Sequence, residues 1–126
     1  MDTRDDWHAI ALRWEQALAL QHRPLVTTEF VLLEVADGLA RLPRRGLVNA
    51  VLSRLQQSPD IEIVPVSREL FAAGLALFRS RPDKEWSLTD CTSFVVMQQH
   101  GLTEALSADH HFAQAGFRAL LLDPPA

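Results

Sequence analysis

Three acidic residues lie where a simple surface role does not fully account for them, and Glu34 is the first. It adjoins Leu33 and Val35 on a predicted helix, where residues three and four apart share a face, so its carboxylate projects from a largely apolar face. An ionised carboxylate in such surroundings needs an ion pair, a hydrogen bond or a bound cation. A helix ion pair or a solvated edge and a functional role both remain open for Glu34.

The other two acids, Asp90 and Asp109, lie at the starts of predicted helices. Ser87 and Asp90 have the spacing of a capping box. Asp109 directly follows a strand-like segment and can cap the helix after it. Capping alone explains each residue, but the crevice beyond the carboxyl ends of parallel strands is also where α/β sheets bind ligands. Three acids from three separate segments can converge there.

Clustered carboxylates point to a divalent cation, because like charges at close range raise one another's pKa unless a cation offsets them. Oxygen ligands favour Mg²⁺ or Mn²⁺ over zinc. Such sites activate water and stabilise charge during phosphodiester hydrolysis. His110 and His111 are adjacent and lack the usual zinc-ligand spacing. Cys91 has no CxxC partner, and we interpret it as a small buried residue.

Alternating strand and helix patterns predict the elements that position these residues. Helices are expected over about 5–20, 28–39, 47–57, 67–80, 87–100 and 109–115, and strands over about 25–27, 61–66, 104–107 and 118–122. This order predicts one α/β domain over residues 1–126, with a central parallel sheet covered by helices on both faces. No strand precedes the first predicted helix.

Composition limits the class of protein. The 126 residues carry 48% hydrophobic and 22% charged side chains, typical of a globular domain. A single cysteine excludes an internal disulfide framework, and no apolar run is long enough for a membrane span, so we expect a cytoplasmic protein. The net charge of −4 gives nucleic-acid binding no general support. A local cluster still offers contacts to RNA phosphates or an acidic partner, or is simply a solvated face: Arg41, Arg44, Arg45 and Arg54.

Several segments together resemble the PIN-domain family, specifically its VapC-type toxin ribonucleases. The resemblance covers almost the whole chain. It rests on Asp6-Trp7-His8 with the helix after it, on 27–34 ending at Glu34, on 86–94 containing Asp90, and on 106–112 containing Asp109 before a phenylalanine.

The resemblance implies a three-layer α/β/α fold and a Mg²⁺- or Mn²⁺-dependent endoribonuclease. It places the catalytic and metal-binding roles on Glu34, Asp90 and Asp109, with Ser107 supporting the site. It also implies RNA as the substrate, a small antitoxin protein that blocks the site, and a homodimer.

The sequence departs from the family at its start. The family opens with a hydrophobic strand ending in Asp-Thr or Asp-Ser, and that aspartate is the first metal ligand. Asp2-Thr3 repeats the dipeptide, but only Met1 precedes it, so we interpret Asp2 as a coincidental match and expect an N-terminally truncated domain without the first strand. The alternative function is therefore a catalytically impaired remnant that binds protein or RNA.

Overall fold

The computed structural model describes residues 13, 16–17, 23–41 and 43–122. Asp2 lies outside these residues, as does most of the predicted first helix over 5–20. The expectations about the first strand, the first acid and the first helix therefore stay predictions.

The described part alternates strands with helices, as the hydrophobic patterning predicts. The elements are β1 (Leu25–Thr28), α1 (Glu29–Gly38), α2 (Arg45–Gln57), β2 (Ile61–Val64), α3 (Arg68–Ser80), α4 (Leu88–Gln99), β3 (Glu104–Ala105), α5 (His110–Gln114) and β4 (Arg118–Ala119), followed by a 3-10 turn over Leu120–Leu122. No helix within this part is both long enough and apolar enough to cross a bilayer.

The strands pair in parallel, which confirms the α/β prediction. Strand β1 pairs with β2, placing Leu25 opposite Ile61, and β3 pairs with β4, placing Glu104 opposite Arg118. Among the described residues these are two separate two-stranded sheets and not one continuous sheet.

Three predicted strands are longer in the sequence pattern than in the structure. The last, expected over 118–122, ends at Ala119, because the leucines after it turn so that Leu121 N–H bonds to Ser107 O at 3.2 Å and Leu120 is buried. Strand β2 ends before Pro65, which has no N–H to donate. Strand β3 ends at Ala105, whose carbonyl accepts a bond from Ser107 N–H in a bend.

Helices α3 and α4 form the centre of the core. Six residues of α4 are buried, which a one-sided amphipathic helix would not show. Its Val95 and Val96 pack with Leu70 of α3, and Val26 of β1 and Val64 of β2 pack against this cluster. Helix α4, which carries Asp90 in its first turn, is thereby fixed against both α3 and the pair of strands β1 and β2.

A cluster of four aromatic rings covers the other side of α4. Phe94 is 1% exposed and makes edge-to-face contacts with Trp86 at 5.1 Å and with Phe112 at 5.0 Å between ring centroids. Phe117 lies 5.7 Å from the same ring. Because Phe112 belongs to α5, this cluster holds α5 against α4.

Gly74 is required where α3 and α4 approach each other. A Cβ atom at this position would lie 2.6 Å from the Thr92 γ-methyl and 3.2 Å from the Thr92 backbone nitrogen. Thr92 is buried, and its hydroxyl bonds to Thr89 O at 2.6 Å, so its side chain is not free to move aside.

We therefore expect Gly74→Ala to lower the free energy of unfolding by about 1–2 kcal/mol, because overpacking outweighs the gain in helix propensity. Gly46→Ala is the matched control, since a Cβ there has open space on α2 and should stabilise the fold by up to about 1 kcal/mol. Urea denaturation measures both. Thr92→Ser removes the obstructing methyl, so the double variant with Gly74→Ala should regain part of the loss. A double variant as unstable as the sum of the two single changes would contradict the steric account.

A cavity of about 690 Å³ lies between the two strand pairs. Residues of β1 and β3 line it from opposite pairs, and an ion pair of 2.8 Å joins Arg23, just before β1, to Glu104, which begins β3. The hydrogen bond from Arg23 lowers the pKa of Glu104 below its usual value. Backbone groups alternate in direction along a strand. Since Leu25 N–H bonds to Asp60 O just before β2, and Thr103 O accepts a bond from Arg118 N–H of β4, the backbone groups of Val26 and Glu104 point away from β2 and β4.

Candidate metal and active site

Asp90 is held in place by the start of α4. Ser87 Oγ accepts a bond from Asp90 N–H at 2.9 Å, and Asp90 Oδ2 accepts a bond from Ser87 N–H at 3.1 Å. The predicted capping box is therefore confirmed. Because the cap uses Oδ2 and the side chain is only 14% exposed, the orientation of the carboxylate toward the cavity wall is fixed by the helix start.

Asp109 lies in the turn between β3 and α5. Its backbone N–H bonds to Ser107 Oγ at 3.0 Å, and its Oδ1 accepts a bond from His111 N–H at 2.9 Å, so it caps α5 as the sequence predicts. Ser107 therefore holds the backbone that carries Asp109. This contact is compatible with the supporting role expected of Ser107.

The imidazole of His111 brings Asp90 and Asp109 together. Its Nδ1 lies 3.1 Å from Asp90 Oδ2 and 3.2 Å from Asp109 Oδ1, and the side chain is 17% exposed. Two carboxylates from segments far apart in the sequence thus meet at one ring nitrogen.

Glu34 lies on the wall of the same cavity but outside this cluster. It projects from α1, is exposed, and makes no hydrogen bond or ion pair with any other residue that the structure describes. Helix α1 is positioned by its N-cap, where Thr28 Oγ1 accepts a bond from Val31 N–H at 3.1 Å. Within the described ranges the ion-pair explanation of Glu34 finds no partner, and the cavity edge leaves its carboxylate accessible to a cation or solvent.

His111 is the residue at this site that the sequence reasoning overlooked. The argument from zinc-ligand spacing set both histidines aside, yet a helix N-cap and the second residue after it share one turn. The backbone bond between His111 and Asp109 belongs to that turn, and it places the imidazole next to the carboxylate. An Asp-x-His sequence at a predicted helix start was the available signal.

The donor set fits a divalent cation. Adjacent ligands of an octahedral ion with bonds of about 2.1 Å lie about 3.0 Å apart. The two distances from His111 Nδ1 to the carboxylate oxygens are close to that separation. Asp109, His110 and His111 also place their ligand atoms within 4.8 Å of one another. Asp90, Asp109 and His111 are the residues best placed to hold the ion, with Glu34 on the wall of the same cavity and His110 at the exposed side of Asp109.

The arginine cluster lies on the surface at α2 and the turn before it. Arg41, Arg44, Arg45 and Arg54 are exposed and make no ion pair with the described acids. Arg45 Nε donates to Ala40 O at 3.0 Å, which fixes the turn and leaves the other guanidinium nitrogens to solvent. This exposure suits contacts to RNA phosphates as well as a solvated face.

Cys91 is a structural residue, as predicted. It is 0% exposed in the cluster with Trp86 and Phe94. Burial, with a smaller contribution from the neighbouring Asp90 charge, raises the pKa of the Cys91 thiol. The thiol therefore stays protonated at neutral pH and is a poor nucleophile.

Comparison with known proteins identifies a family and a similar solved structure. The sequence profile of the PIN domain matches residues 2–118. The crystal structure of VapC20 from Mycobacterium tuberculosis, described as a Sarcin-Ricin loop cleaving toxin, is similar with a TM-score of 0.71 and 25% sequence identity. The similarity covers 89% of this chain and 91% of that one. No curated protein gives a significant sequence match.

Proposed function

This chain belongs to the PIN-domain family, and from that premise we propose that it is a metal-dependent endoribonuclease of the VapC type. The observation that carries the proposal is the convergence of Asp90 and Asp109 at His111, on a cavity that Glu34 also lines. These side chains come from three different helix starts or faces, and capping alone does not require them to share one cavity.

The residues of the chain have separate roles in this proposal. Asp90, Asp109 and Glu34 hold Mg²⁺ or Mn²⁺, with the first two oriented by the starts of α4 and α5. When bound, the ion supplies the charge that favours a water nucleophile and stabilises the phosphorane-like transition state. Hydrolysis adds one water across a P–O bond, leaving a phosphate ester on one fragment and a hydroxyl on the other. Ser107 keeps the Asp109 turn in position.

RNA is the proposed substrate, and exposed cations support it. The four arginines at α2 and the turn before it have donors free to reach phosphates, and the bidentate guanidinium suits that contact. If all four contact phosphates, the logarithm of the RNA-binding constant should fall with the logarithm of the salt concentration with a slope of no more than about −3.

Exposed apolar side chains on α1 and α2 support the proposed protein partners, a cognate antitoxin and a second copy of the chain. Leu33 is 58% exposed, Leu47 63% and Val51 39%. Large apolar side chains grouped on neighbouring elements are typical of interaction surfaces.

The experiment that tests the function is RNA cleavage by the purified chain with Mn²⁺, with chelator, and with Mn²⁺ restored. Sarcin-ricin loop RNA, the substrate in the description of VapC20, and an unstructured RNA serve as two substrates. We expect cleavage only with metal, and we expect Glu34→Gln to reduce it by about 10-fold or more, since a wall carboxylate facing the ion should contribute at least as much as an outer-shell partner. Glu69→Gln, at an exposed position of α3, is the matched control.

Two outcomes would count against the proposal. Equal cleavage with metal and with chelator would exclude a metal-dependent mechanism. Absence of any turnover in a folded chain that still binds RNA or protein would favour the non-catalytic alternative.

A further inference from the structure

The imidazole of His111 contacts both acids and lies within hydrogen-bonding distance of Asp90, a position that neither the cap of α5 nor the aromatic packing requires. Its Nδ1 faces Asp90 Oδ2 at 3.1 Å and Asp109 Oδ1 at 3.2 Å. The backbone N–H of His111 already completes the turn with Asp109, so the ring is not needed for the cap. The aromatic contact that holds α5 to the core comes from Phe112, the next residue.

The neighbouring His110 provides a comparison, because its imidazole does not lie between the two acids. The His110 side chain is 70% exposed, and its Nδ1 lies 3.8 Å from Asp109 Oδ1. Its distance to the carboxylate is thus longer than that of His111, although the two residues are adjacent and their rings lie 4.5 Å apart. The half-buried ring is the one turned toward both acids.

The elements packed around His111 place no other cation at the two carboxylates. No arginine or lysine in the described ranges forms an ion pair with Asp90 or Asp109; their only ion-pair partners there are His110 and His111. His111 Nδ1 lies about 3 Å from one oxygen of each carboxylate, which is the spacing of neighbouring ligands in one coordination shell.

An imidazole donor changes which cation a carboxylate site prefers. Mg²⁺ is bound mainly through oxygen and keeps most of its water, whereas imidazole nitrogen suits the first-row transition metals. Mn²⁺ accepts both carboxylate and imidazole ligands. A site with His111 as a ligand should therefore discriminate against Mg²⁺ more strongly than carboxylates alone would.

We propose that His111 Nδ1 is a direct ligand of the metal held by Asp90 and Asp109, and that it makes the site prefer Mn²⁺ to Mg²⁺. This inference rests on the proposed function for the presence of the ion, and it assigns a nitrogen ligand beyond the acidic set. In this arrangement the lone pair on Nδ1 points to the metal and the ring proton is carried by Nε2.

The test measures Mn²⁺ binding by the full chain without RNA. Titration calorimetry gives the affinity, and electron spin-echo spectroscopy detects nitrogen bound to Mn²⁺. We expect nitrogen coupling to bound Mn²⁺ in the unmodified chain, and its loss in His111→Asn with a Mn²⁺ affinity about 10-fold weaker or more. Mg²⁺ affinity should change by less than about threefold, so the Mn²⁺/Mg²⁺ preference falls. His100→Asn, at the end of α4 where the imidazole faces Val96 O and Glu62, should keep the coupling and both affinities.

The spectrum of the unmodified chain needs no variant, so a folding defect in His111→Asn does not remove the test. Oxygen-only coordination of bound Mn²⁺, nitrogen coupling that survives His111→Asn, or no Mn²⁺ binding at all would each overturn the inference. Nitrogen coupling in a chain that cleaves no RNA would support the ligand assignment while refuting the nuclease. Metal-dependent cleavage with oxygen-only coordination would support the nuclease proposal and refute the ligand assignment.

Discussion

Replacing Asp90 with asparagine is expected to reduce metal-dependent RNA cleavage by at least about 100-fold, because loss of a direct ligand should exceed the 10–100-fold typical of outer-shell partners. The amide keeps an oxygen able to accept the Ser87 N–H, so helix α4 stays capped. The free energy of unfolding should therefore change by no more than about 1 kcal/mol. Initial rates of RNA cleavage at saturating Mn²⁺ and urea denaturation give the two quantities.

Ser87→Ala is the control that separates capping from chemistry. It removes the hydroxyl that accepts the Asp90 N–H, which should cost about 1 kcal/mol of stability, and it leaves the carboxylate in place. Activity per folded molecule should remain within a few-fold of the unmodified chain. Retention of full cleavage by Asp90→Asn would show that this carboxylate serves only the helix start.

The largest effect on stability is expected from Phe94→Ala, at about 3–5 kcal/mol. Phe94 is 1% exposed and contacts Trp86, Phe112 and Phe117, so truncation leaves a cavity that three large rings cannot close. A domain of this size is stable by about 5–15 kcal/mol, so the variant loses a large share of that total. Because Phe112 follows His111, loosening α5 should also lower the affinity for Mn²⁺.

Phe71→Ala on α3 is the matched control, since the same truncation at a side chain 44% exposed should cost about 1 kcal/mol or less. The urea midpoints of both variants, compared where the dependence of unfolding free energy on urea concentration is unchanged, measure the two losses of stability. Equal losses in the two variants would contradict the central role of the aromatic cluster.

Local patterns in the sequence predicted the elements and the caps well. Ser87 and Asp90 form the expected capping box, and Gly101 follows α4 with φ of 65°, the left-handed conformation that glycine favours. These features depend on neighbours within a few residues, which the sequence displays directly. The final strand begins at Arg118 as predicted but ends earlier, because burial of Leu120 against Leu25, a contact between distant residues, competes with strand propensity.

The structure brings two of the three predicted site residues together, and their role as metal ligands stays a prediction. A parallel α/β arrangement brings the ends of β3 and α4 together, and Asp90 and Asp109 lie there. That a single imidazole joins them depends on ring orientation within a turn, which spacing rules for zinc do not describe. The division of the strands into two pairs was also beyond the sequence pattern, because strand partners are chosen by tertiary packing.

The strand edges beside the cavity bear on how the chain behaves at high concentration. An open edge of unpaired backbone groups is a template on which other chains can add, and such growth leads to insoluble aggregates. In the part that the structure describes, β1 has four residues and β3 only two. The charged pair of Arg23 and Glu104 stands at one end of the gap between them. In the described part of the chain, the edges of β1 and β3 are short and have a charged pair beside them. They therefore offer an incoming strand few backbone hydrogen bonds, and we expect little non-specific self-association through them.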